Sequence, residues 1–418
     1  MREMKTTDID WIPEMPVTWD EAPNKVLMKK KKVIIPIYDG EDILSLTMDG
    51  VIVRDLEAGG KMPTSFDGYQ KIESGNLLMC LFDYDVTPRC IGIIKQNGVT
   101  SPAYSQYVLS DIADANYYYY YYLMVDNTKE LLHLAKNMRH SFSEEDFGRI
   151  KAPIPPIDEQ KRIAAYLDSK CSEIDALTAD IQSQIDTLEQ YKRSVITEAV
   201  TKGLNRDVEM KESGIEYVGK IPASWDMHPV YYYFGERKHK NSLGEEQNLL
   251  SLSYGNIIRK DINTREGLLP ESFNTYNIVE AGDIIIRPTD LQNDKRSLRT
   301  GLVREHGIIT SAYIDLMPVR NINTEYYHYL LHAFDVMKVF YNMGNGVRQG
   351  LNFSEFSRLM VFEPSLAEQN SIVDYLNDKC GQINTVISEK QDQLATLDAY
   401  KKSTIYEYVT GKKEVPAV

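Results

Sequence analysis

A group of basic side chains in the second half of the sequence has the chemistry needed to bind phosphate groups. Its members are Arg287, Lys295, Arg296, Arg299 and Arg304. Only two acidic residues lie within the same stretch, so the positive charge is not neutralised locally. Ammonium and guanidinium groups donate hydrogen bonds to phosphate oxygens, and arginine can also donate two of them to one base edge. The sequence therefore predicts a locally basic surface in this region.

The chain as a whole is acidic, which argues against a nucleic acid as its partner. Its formal net charge is −14, with 61 Asp and Glu residues against 47 Lys and Arg residues. The excess is uneven, because residues 1–157 carry a net charge of −6 whereas residues 227–360 hold 15 basic and 15 acidic residues. Phosphate binding depends on local concentrations of lysine and arginine. The balanced segment thus fits a polyanionic partner better than the first segment does.

Sequence motifs that mark common catalytic sites are missing. The chain has no G-x-x-x-x-G-K-[ST], no H-E-x-x-H, no G-x-S-x-G and no G-x-G-x-x-G after a strand. The nearest glycine pattern, at residues 344–350, predicts a contact loop because its third glycine comes one position too late. The Asn/Asp-Pro-Pro-aromatic run of an adenine methyltransferase is also missing. The sequence therefore carries none of these catalytic signatures.

Three groups of residues have both a functional and a structural interpretation. Six tyrosines at 117–122 could stack on bases, but such a run more often lies between core and surface on a helix or strand. Four lysines at 29–32 could contact a phosphate backbone or form a solvated segment. His328 and His332 could share one helix face, where the lack of further ligands favours a half-buried helix over a zinc site.

The elements that would position these side chains occur twice in the chain. Residues 9–20 read IDWIPEMPVTWD and residues 215–226 read IEYVGKIPASWD, an offset of 206. Residues 159–174 match residues 368–383 at an offset of 209, which also relates YKRSVITEAVT to YKKSTIYEYVT. Duplication of this length predicts two copies of one domain arrangement.

Each copy consists of a mixed region followed by a long helix. Short apolar runs such as KVIIPI and GDIIIR predict strands between helices in the mixed regions, so the class is α/β or α+β. A chain of 418 residues is expected to form more than one domain. We place the first mixed domain at 1–157, the first helix at 158–203, the second mixed domain at 204–362 with a linker at 204–226, and the second helix at 363–418.

The two helical regions carry the heptad repeat of a coiled coil. Apolar residues recur every seven positions at Leu167, Ile174, Ile181, Leu188 and Val195, and the second helix repeats this seam at Leu376, Ile383 and Leu397. An adjacent stripe is predicted at Ile163, Leu177, Ile185 and Tyr191. A helix of about 40 residues, about 60 Å long, cannot bury such a stripe alone in water. We predict that the two helices pair with each other; the alternative is that each packs only on its own domain.

Residues at the ends of both helices fit known capping patterns. Asp158 could cap the first helix after a proline-rich segment, and Gly203 could end it. Ser365-x-x-Glu368 predicts a capping box at the start of the second helix.

Cysteine content and hydropathy indicate a cytosolic chain. The four cysteines, Cys80, Cys90, Cys171 and Cys380, form no C-x-x-C pair, and we expect reduced thiols. There is no stretch of 18 or more apolar residues and no apolar run of a signal peptide at the N-terminus. We therefore expect a cytoplasmic location and no membrane partner.

Long ordered motifs give the chain a resemblance to one protein family. The run VTKGLNRDVEMKESGIEYVGKIPASWD at 200–226, the segment PIPPIDEQ at 153–160 and the repeated helix resemble the specificity subunits of type I restriction-modification systems. The resemblance covers essentially the whole chain. It implies two target-recognition domains, each of which reads one half of a split double-stranded DNA site, joined by two antiparallel helices that set the gap and dock partner subunits.

The resemblance also implies which subunits carry the chemistry. The specificity subunit itself is not catalytic and holds no cofactor. S-adenosylmethionine would bind the modification methyltransferase subunits, of which two are expected. ATP and Mg²⁺ would serve the restriction and translocase subunits.

The resemblance further implies a DNA-contacting loop before each proline-led helix. The second copy matches it with the run GVRQ at 346–349, whereas the first copy keeps the arginine without the glycines. The predicted DNA contacts are therefore Arg139, Arg287, Lys295, Arg296, Arg299, Gly346, Arg348 and Gln349.

Two other functions are compatible with the sequence. The chain could be a single-chain restriction or modification enzyme, against which the missing methyltransferase motif counts. It could also be a coiled-coil adaptor whose two domains bind protein instead of DNA.

Overall fold

The chain folds into two compact units, each of which contains parts of both long helices. The computed structural model describes residues 2–57, 63–135, 140–263, 272–289, 291, 298–339, 343 and 350–416. The first unit comprises Met1–Gln182 with Gln391–Val418, and the second comprises Ser183–Lys390. Each unit thus holds one mixed domain, and its boundaries fall within the long helices instead of at their ends.

Seven α-helices lie within the described residues, and two of them are much longer than the rest. They are α1 Asn24–Leu27, α2 Ala115–Asn127, α3 Glu144–Arg149, α4 Ile157–Lys202, α5 Thr324–Val336, α6 Phe353–Phe356 and α7 Leu366–Val409. The 46 residues of α4 and the 44 residues of α7 confirm the two predicted long helices. Short 3-10 helices occupy Glu130–Leu134 and Val230–Tyr232.

The long helices have most of the end features that the sequence predicts. Asp158 lies in the first turn of α4, and Gly203, with a φ of +71°, ends the helix in the left-handed conformation that glycine adopts without strain. At the start of α7, Ser365 Oγ accepts from the Glu368 N–H at 3.3 Å. The Glu368 carboxylate binds Trp225 instead, so the predicted capping box is only half formed.

The first mixed domain contains thirteen strands within its described residues. They are β1 Met4–Ile9, β2 Ile12–Pro16, β3 Asp20–Pro23, β4 Met28–Lys31, β5 Val33–Ile34, β6 Leu44–Thr47, β7 Gly50–Val53, β8 Gln70–Ile72, β9 Leu77–Met79, β10 Ile91–Ile93, β11 Gly98–Thr100, β12 Ser105–Leu109 and β13 Lys151–Ile154. The main sheet has the strand order β10-β9-β12-β4, and a second sheet has the order β11-β8-β5. Pairs β1-β2, β6-β7 and β3-β13 complete the domain.

The second mixed domain contains twelve strands within its described residues. They are β14 Met210–Glu212, β15 Lys220–Pro222, β16 Asp226–Pro229, β17 Phe234–Glu236, β18 Leu250–Ser253, β19 Asn256–Arg259, β20 Asn277–Val279, β21 Ile284–Ile286, β22 Thr300–Leu302, β23 Gly307–Ile309, β24 Ile314–Pro318 and β25 Met360–Glu363. The main sheet has the order β17-β24-β21-β22, and the remaining strands form the pairs β14-β15, β16-β25, β18-β19 and β20-β23.

The two main sheets have the same strand order, which agrees with the duplication seen in the sequence. Strands β4, β12, β9 and β10 of the first domain correspond to β17, β24, β21 and β22 of the second. In the described residues the ladders of both main sheets are antiparallel. The predicted mixed class is confirmed, and the antiparallel sheets make it the α+β form.

Helix α2, which contains the six tyrosines, lies in the core of the first domain. Five of the six rings are buried, and Tyr119 is half-buried. Their hydroxyls find partners in that core: Tyr118 donates to the Pro153 carbonyl at 2.8 Å, and Tyr121 accepts from Trp11 Nε1 at 3.2 Å. Burial of aromatic rings with paired hydroxyls is a stabilising arrangement, so the structural interpretation of the tyrosine run is confirmed.

Candidate nucleic-acid interface

The start of α4 and the end of α7 pair in the first unit. The rings of Tyr166 and Tyr408 lie with centroids 4.5 Å apart, and their hydroxyls are 3.2 Å apart. Lys401 Nζ donates to Asp175 Oδ1 at 2.6 Å. Because residues early in α4 meet residues late in α7, the two helices run antiparallel here.

The same pairing occurs in the second unit, between the end of α4 and the start of α7. Lys192 Nζ donates to Asn384 Oδ1 at 2.8 Å, and the Lys390 ammonium donates to the side chain of Gln184. Lys390 takes the seam position that matches Ile181, and this hydrogen bond accommodates its charge. Pairing of the helices within the chain is therefore confirmed in both units.

Burial along the helices confirms the seam and half of the predicted stripe beside it. The seam residues are buried or half-buried throughout: Leu167, Ile174, Ile181, Leu188, Val195, Leu376, Ile383 and Leu397. Of the predicted adjacent stripe, Ile163 and Ile185 are buried, whereas Leu177 and Tyr191 are 53% and 51% exposed. The buried residues Cys171, Ile185 and Ala199 each lie four residues after a seam position. In a helix of 3.6 residues per turn, this spacing keeps side chains on one face.

A Glu-Gln pair near the start of α4 fixes that helix to the first domain. Glu159 Oε2 accepts from Trp19 Nε1 at 3.1 Å. The Gln160 side chain accepts from the Asp114 N–H at 2.7 Å and donates to the Pro155 carbonyl at 2.8 Å. Asp114 is the N-cap of α2, so one glutamine joins the starts of two helices.

The second copy repeats this arrangement at the start of α7. Glu368 Oε2 accepts from Trp225 Nε1 at 3.1 Å. The Gln369 side chain accepts from the Asn323 N–H at 3.0 Å and donates to the Pro364 carbonyl at 2.9 Å. The matching Trp and Glu-Gln positions in the two copies were visible in the sequence, but their contact with each other was not.

The helix of each mixed domain also binds the end of the other long helix. In the first unit Tyr117 donates to the Val409 carbonyl of α7 at 2.8 Å. In the second unit Tyr326 donates to the Val200 carbonyl of α4 at 3.2 Å. Each domain is therefore attached to the start of one long helix and the end of the other.

Two of the predicted DNA contacts lie within the described residues. Arg287 is half-buried after β21, and its N–H donates to the Arg299 carbonyl at 2.8 Å. Arg299 itself is 0% exposed, its guanidinium donates to the Thr289 carbonyl, and its N–H donates to Asp335 Oδ2 at 2.6 Å. Contact with DNA needs an accessible side chain. The structure thus corrects the prediction for Arg299, whose burial and partners give it a structural role.

The basic surface predicted from the sequence is also less positive than local counting suggested. Arg304 pairs with Glu325 of α5 at 2.7 Å. The other predicted contacts lie outside the described residues and stay predictions; they are Arg139, Lys295, Arg296, Gly346, Arg348 and Gln349.

The two histidines of α5 are half-buried beside basic groups, as the interpretation of a half-buried helix predicts. Burial, followed by His332 and Arg304, lowers the pKa of His328 to about 3. Burial, followed by Lys192 and Arg193, lowers the pKa of His332 to about 4. Both rings are therefore neutral near pH 7. In the part of the chain that the structure describes, no group of three or more His, Cys, Asp or Glu side chains is placed to hold a metal ion.

All four cysteines are buried free thiols, as the sequence predicts. Burial raises the pKa of the Cys80, Cys171 and Cys380 thiols, which keeps them protonated. None of the helices in the described ranges combines the length and hydropathy of a membrane span.

The fold of this chain is similar to that of a chain in a solved structure of a type I R-M system. A solved chain described under "Structural basis underlying complex assembly and conformational transition of the type I R-M system" matches with a TM-score of 0.70 and 13% identity, over 96% of this chain and 99% of that one. At this identity the likeness establishes the fold.

Sequence comparisons extend the likeness to a family. Residues 81–187 match the family model of the type I restriction modification DNA specificity domain. Two relatives from Methanocaldococcus jannaschii are also similar. The putative type I restriction enzyme MjaX specificity subunit is 24% identical over 281 residues, 66% of this chain and 62% of the relative. The type I restriction enzyme MjaVIII specificity subunit is 25% identical over 280 residues, 64% of this chain and 63% of the relative.

The matched region spans less than two thirds of the length of either curated relative. The family model and the two relatives confirm the resemblance to type I specificity subunits that the repeated motifs indicated.

Proposed function

We propose that this chain is the non-catalytic DNA specificity subunit of a type I restriction-modification complex. The proposal rests on the duplication of one α+β domain, with each copy attached to both of two antiparallel helices. Two equivalent domains suit a DNA target with two half-sites, as in other recognition proteins whose repeated modules match repeated sites. The match of residues 81–187 to the DNA specificity family supports the same function.

The paired helices would act as the spacer between the two half-sites. A helix advances about 1.5 Å per residue and a DNA duplex about 3.4 Å per base pair, so helix length would set the gap. Side chains on base edges would give specificity, each bidentate pair contributing about 1 to 3 kcal/mol. Lysine and arginine on phosphates would set the register and the salt dependence.

Catalysis would reside on partner subunits in the cytoplasm. Two modification methyltransferase subunits would dock on the helical region and bind S-adenosylmethionine. Restriction subunits would use ATP and Mg²⁺. This chain would determine the DNA sequence at which both kinds of subunit act.

The DNA-binding function is tested by the affinity of the full chain for random duplex DNA across a salt series. We expect the affinity to fall as salt rises, since phosphate contacts release counterions. The measurement is repeated with a methyltransferase partner. Affinity indifferent to salt under both conditions would contradict the proposal and favour a protein-binding adaptor.

The non-catalytic role is tested by incubating the isolated chain with labelled S-adenosylmethionine and DNA. We expect no methyl transfer without partner subunits. Transfer by the chain alone would establish the enzyme alternative.

A further inference from the structure

A cavity in the first domain concentrates positive charge within this acidic chain. It has a volume of about 300 Å³ and lies between α1, β4 and α3. Lys25, Lys29 and Lys30 line it together with Glu144, Tyr107 and Phe147. The cavity therefore includes part of the lysine run whose role the sequence left open.

The lysines of this cavity are poorly neutralised. Lys30 Nζ lies 3.8 Å from Glu144 Oε2, beyond the distance of a good hydrogen bond. Lys25 and Lys29 are exposed, and neither makes an ion pair within the described residues. Three lysines and one carboxylate thus line the cavity. An anion in the cavity would gain attraction that no protein group already provides.

The floor of the cavity offers a neutral donor. Tyr107 is 3% exposed, and its hydroxyl has no hydrogen-bond partner among the described residues. Burial, followed by the charge of Glu144, raises its pKa, so the hydroxyl keeps its proton. An unpaired buried donor is costly, and an acceptor that reached it would remove that cost. A ligand with several acceptor oxygens and no donors therefore suits both the lysines and this hydroxyl.

The walls of the cavity are fixed by the fold. Asn24 Nδ2 donates to the Phe147 carbonyl at 3.0 Å, and the Asn24 N–H donates to the Ile150 carbonyl at 2.9 Å. The rings of Tyr107 and Phe147 pack with centroids 5.2 Å apart. These contacts hold α1 against α3, so the lysines are presented by a preformed site.

The second domain builds the same sheet without this chemistry. Lys30 pairs with Tyr107 in the β4-β12 ladder, whereas Glu236 pairs with Leu316 in the corresponding β17-β24 ladder. Position 29 is matched by Gly235 in that register. Since the fold forms with an acidic and an apolar residue at these places, it does not require the lysines and the phenol. The lysines and the phenol are therefore available to bind a ligand.

We propose that this cavity binds a phosphoryl group, held by Lys25, Lys29 and Lys30 above Tyr107. If the proposed function holds, the group is a phosphate of the DNA backbone at the first half-site, and the contact positions the more acidic domain on the duplex. A free phosphorylated ligand offers the same chemistry. The two sources give different results in the experiment below.

The test compares the full chain with K25Q/K29Q and with a control of equal charge change, K95Q/K161Q, at exposed lysines away from the cavity. Duplex DNA binding is measured across a salt series, and the melting temperature is measured with inorganic phosphate against chloride at equal ionic strength. For a DNA phosphate, K25Q/K29Q lowers the slope of log affinity against log salt by about 1, and the control leaves it unchanged. For a free ligand, the slope stays the same, and phosphate raises the melting temperature of the wild type and control but not of K25Q/K29Q.

Glu144→Gln changes the charge of the cavity in the opposite direction, because it removes a negative charge. Removing the one carboxylate should strengthen whichever binding is found, because it leaves the lysines without a competing charge. If K25Q/K29Q matches the control in both measurements, the cavity binds no phosphoryl group and the proposal is overturned. If DNA binding by the wild type does not depend on salt, the proposed function is contradicted. The melting temperatures with phosphate then still show whether the cavity binds a phosphoryl group.

Discussion

At the scale of single residues, the two copies place different chemistry on the same sheet. Gln106 of β12 accepts from the Glu73 N–H at 2.8 Å and from Asn76 Nδ2 at 2.9 Å. Asp315 occupies the corresponding place in β24, where it is 1% exposed and neither carboxylate oxygen has a hydrogen-bond partner in the described residues. The Arg237 guanidinium lies 3.9 Å from Oδ2, at the limit of an ion pair. Burial, followed by the charge of Asp283, raises its pKa to about 8. The second domain thus holds a protonated carboxyl where the first holds an amide.

This carboxyl makes the stability of the second domain depend on pH. Its pKa rises from 3.8 to about 8 on folding, so the folded state binds the extra proton and loses stability as pH rises through that range. Asp315→Asn should raise the free energy of unfolding by about 1 to 3 kcal/mol at pH 8 and by much less at pH 5. Urea denaturation at both pH values measures this. An equal change at the two pH values, or the same change in the exposed control D226N, would refute it.

Residue chemistry could be predicted from the sequence, but residue environment could not. The sequence showed that Arg299 could bind phosphate, and local charge gave no reason to exclude it. Its actual partners are the Thr289 carbonyl and the Asp335 carboxylate, and Asp335 lies 36 residues further along the chain. Burial of an arginine depends on such long-range partners. Local spacing therefore predicted the charge of the site and not its exposure.

At the scale of elements, the attachment of the long helices depends on a few polar side chains. The heptad repeat predicted the helices and their pairing because apolar periodicity reports which face is buried. It did not predict that Leu177 would be exposed and Cys171 buried, because α4 contacts a domain helix as well as α7. In the sequence the Glu-Gln pair is visible only as a repeated motif. In the structure its hydrogen bonds attach each long helix to a mixed domain.

Loss of one glutamine should therefore weaken a whole unit. Gln369 is 2% exposed, and Gln369→Ala would leave the Asn323 N–H and the Pro364 carbonyl unpaired. We expect the free energy of unfolding to fall by about 2 to 4 kcal/mol, measured by urea denaturation. The neighbouring exposed Asn370→Ala serves as the control and should cost less than about 1 kcal/mol. Equal effects of the two variants would show that Gln369 does not stabilise the contact between α7 and the second domain.

Charge placed in the seam should separate the helices. Ile174 is buried and Ile181 half-buried, so I174D/I181D should cost at least about 3 kcal/mol and abolish assembly with a methyltransferase subunit while both domains stay folded. Size-exclusion chromatography measures assembly, and hydrogen exchange of the main sheets measures folding. The control L177D/Y191D makes the same charge change at exposed positions and should leave the melting temperature unaltered. If I174D/I181D still forms intact complexes, pairing of the helices is not needed for assembly and this prediction is contradicted.

At the scale of the whole molecule, the sequence predicted the duplication and the structure showed how the copies use the helices. The offsets of 206 and 209 residues required two similar halves. They could not show that each domain is attached to the start of one helix and the end of the other, since this depends on contacts such as that of Tyr117 with Val409. Strand order was equally hidden, because pairing between distant strands leaves little local signal.

The central claim is that two reading domains are spaced by the paired helices. It is tested most directly by inserting four helical residues into both helices, between Gln182 and Ser183 and between Lys390 and Gln391, where the two compact units divide. The measurement is methylome sequencing of a host that carries the chain with its methyltransferase partner. Four residues add about 6 Å, close to two base pairs. We predict unchanged half-sites separated by a gap about two base pairs longer; an unchanged gap, or altered half-site sequences, would contradict the account.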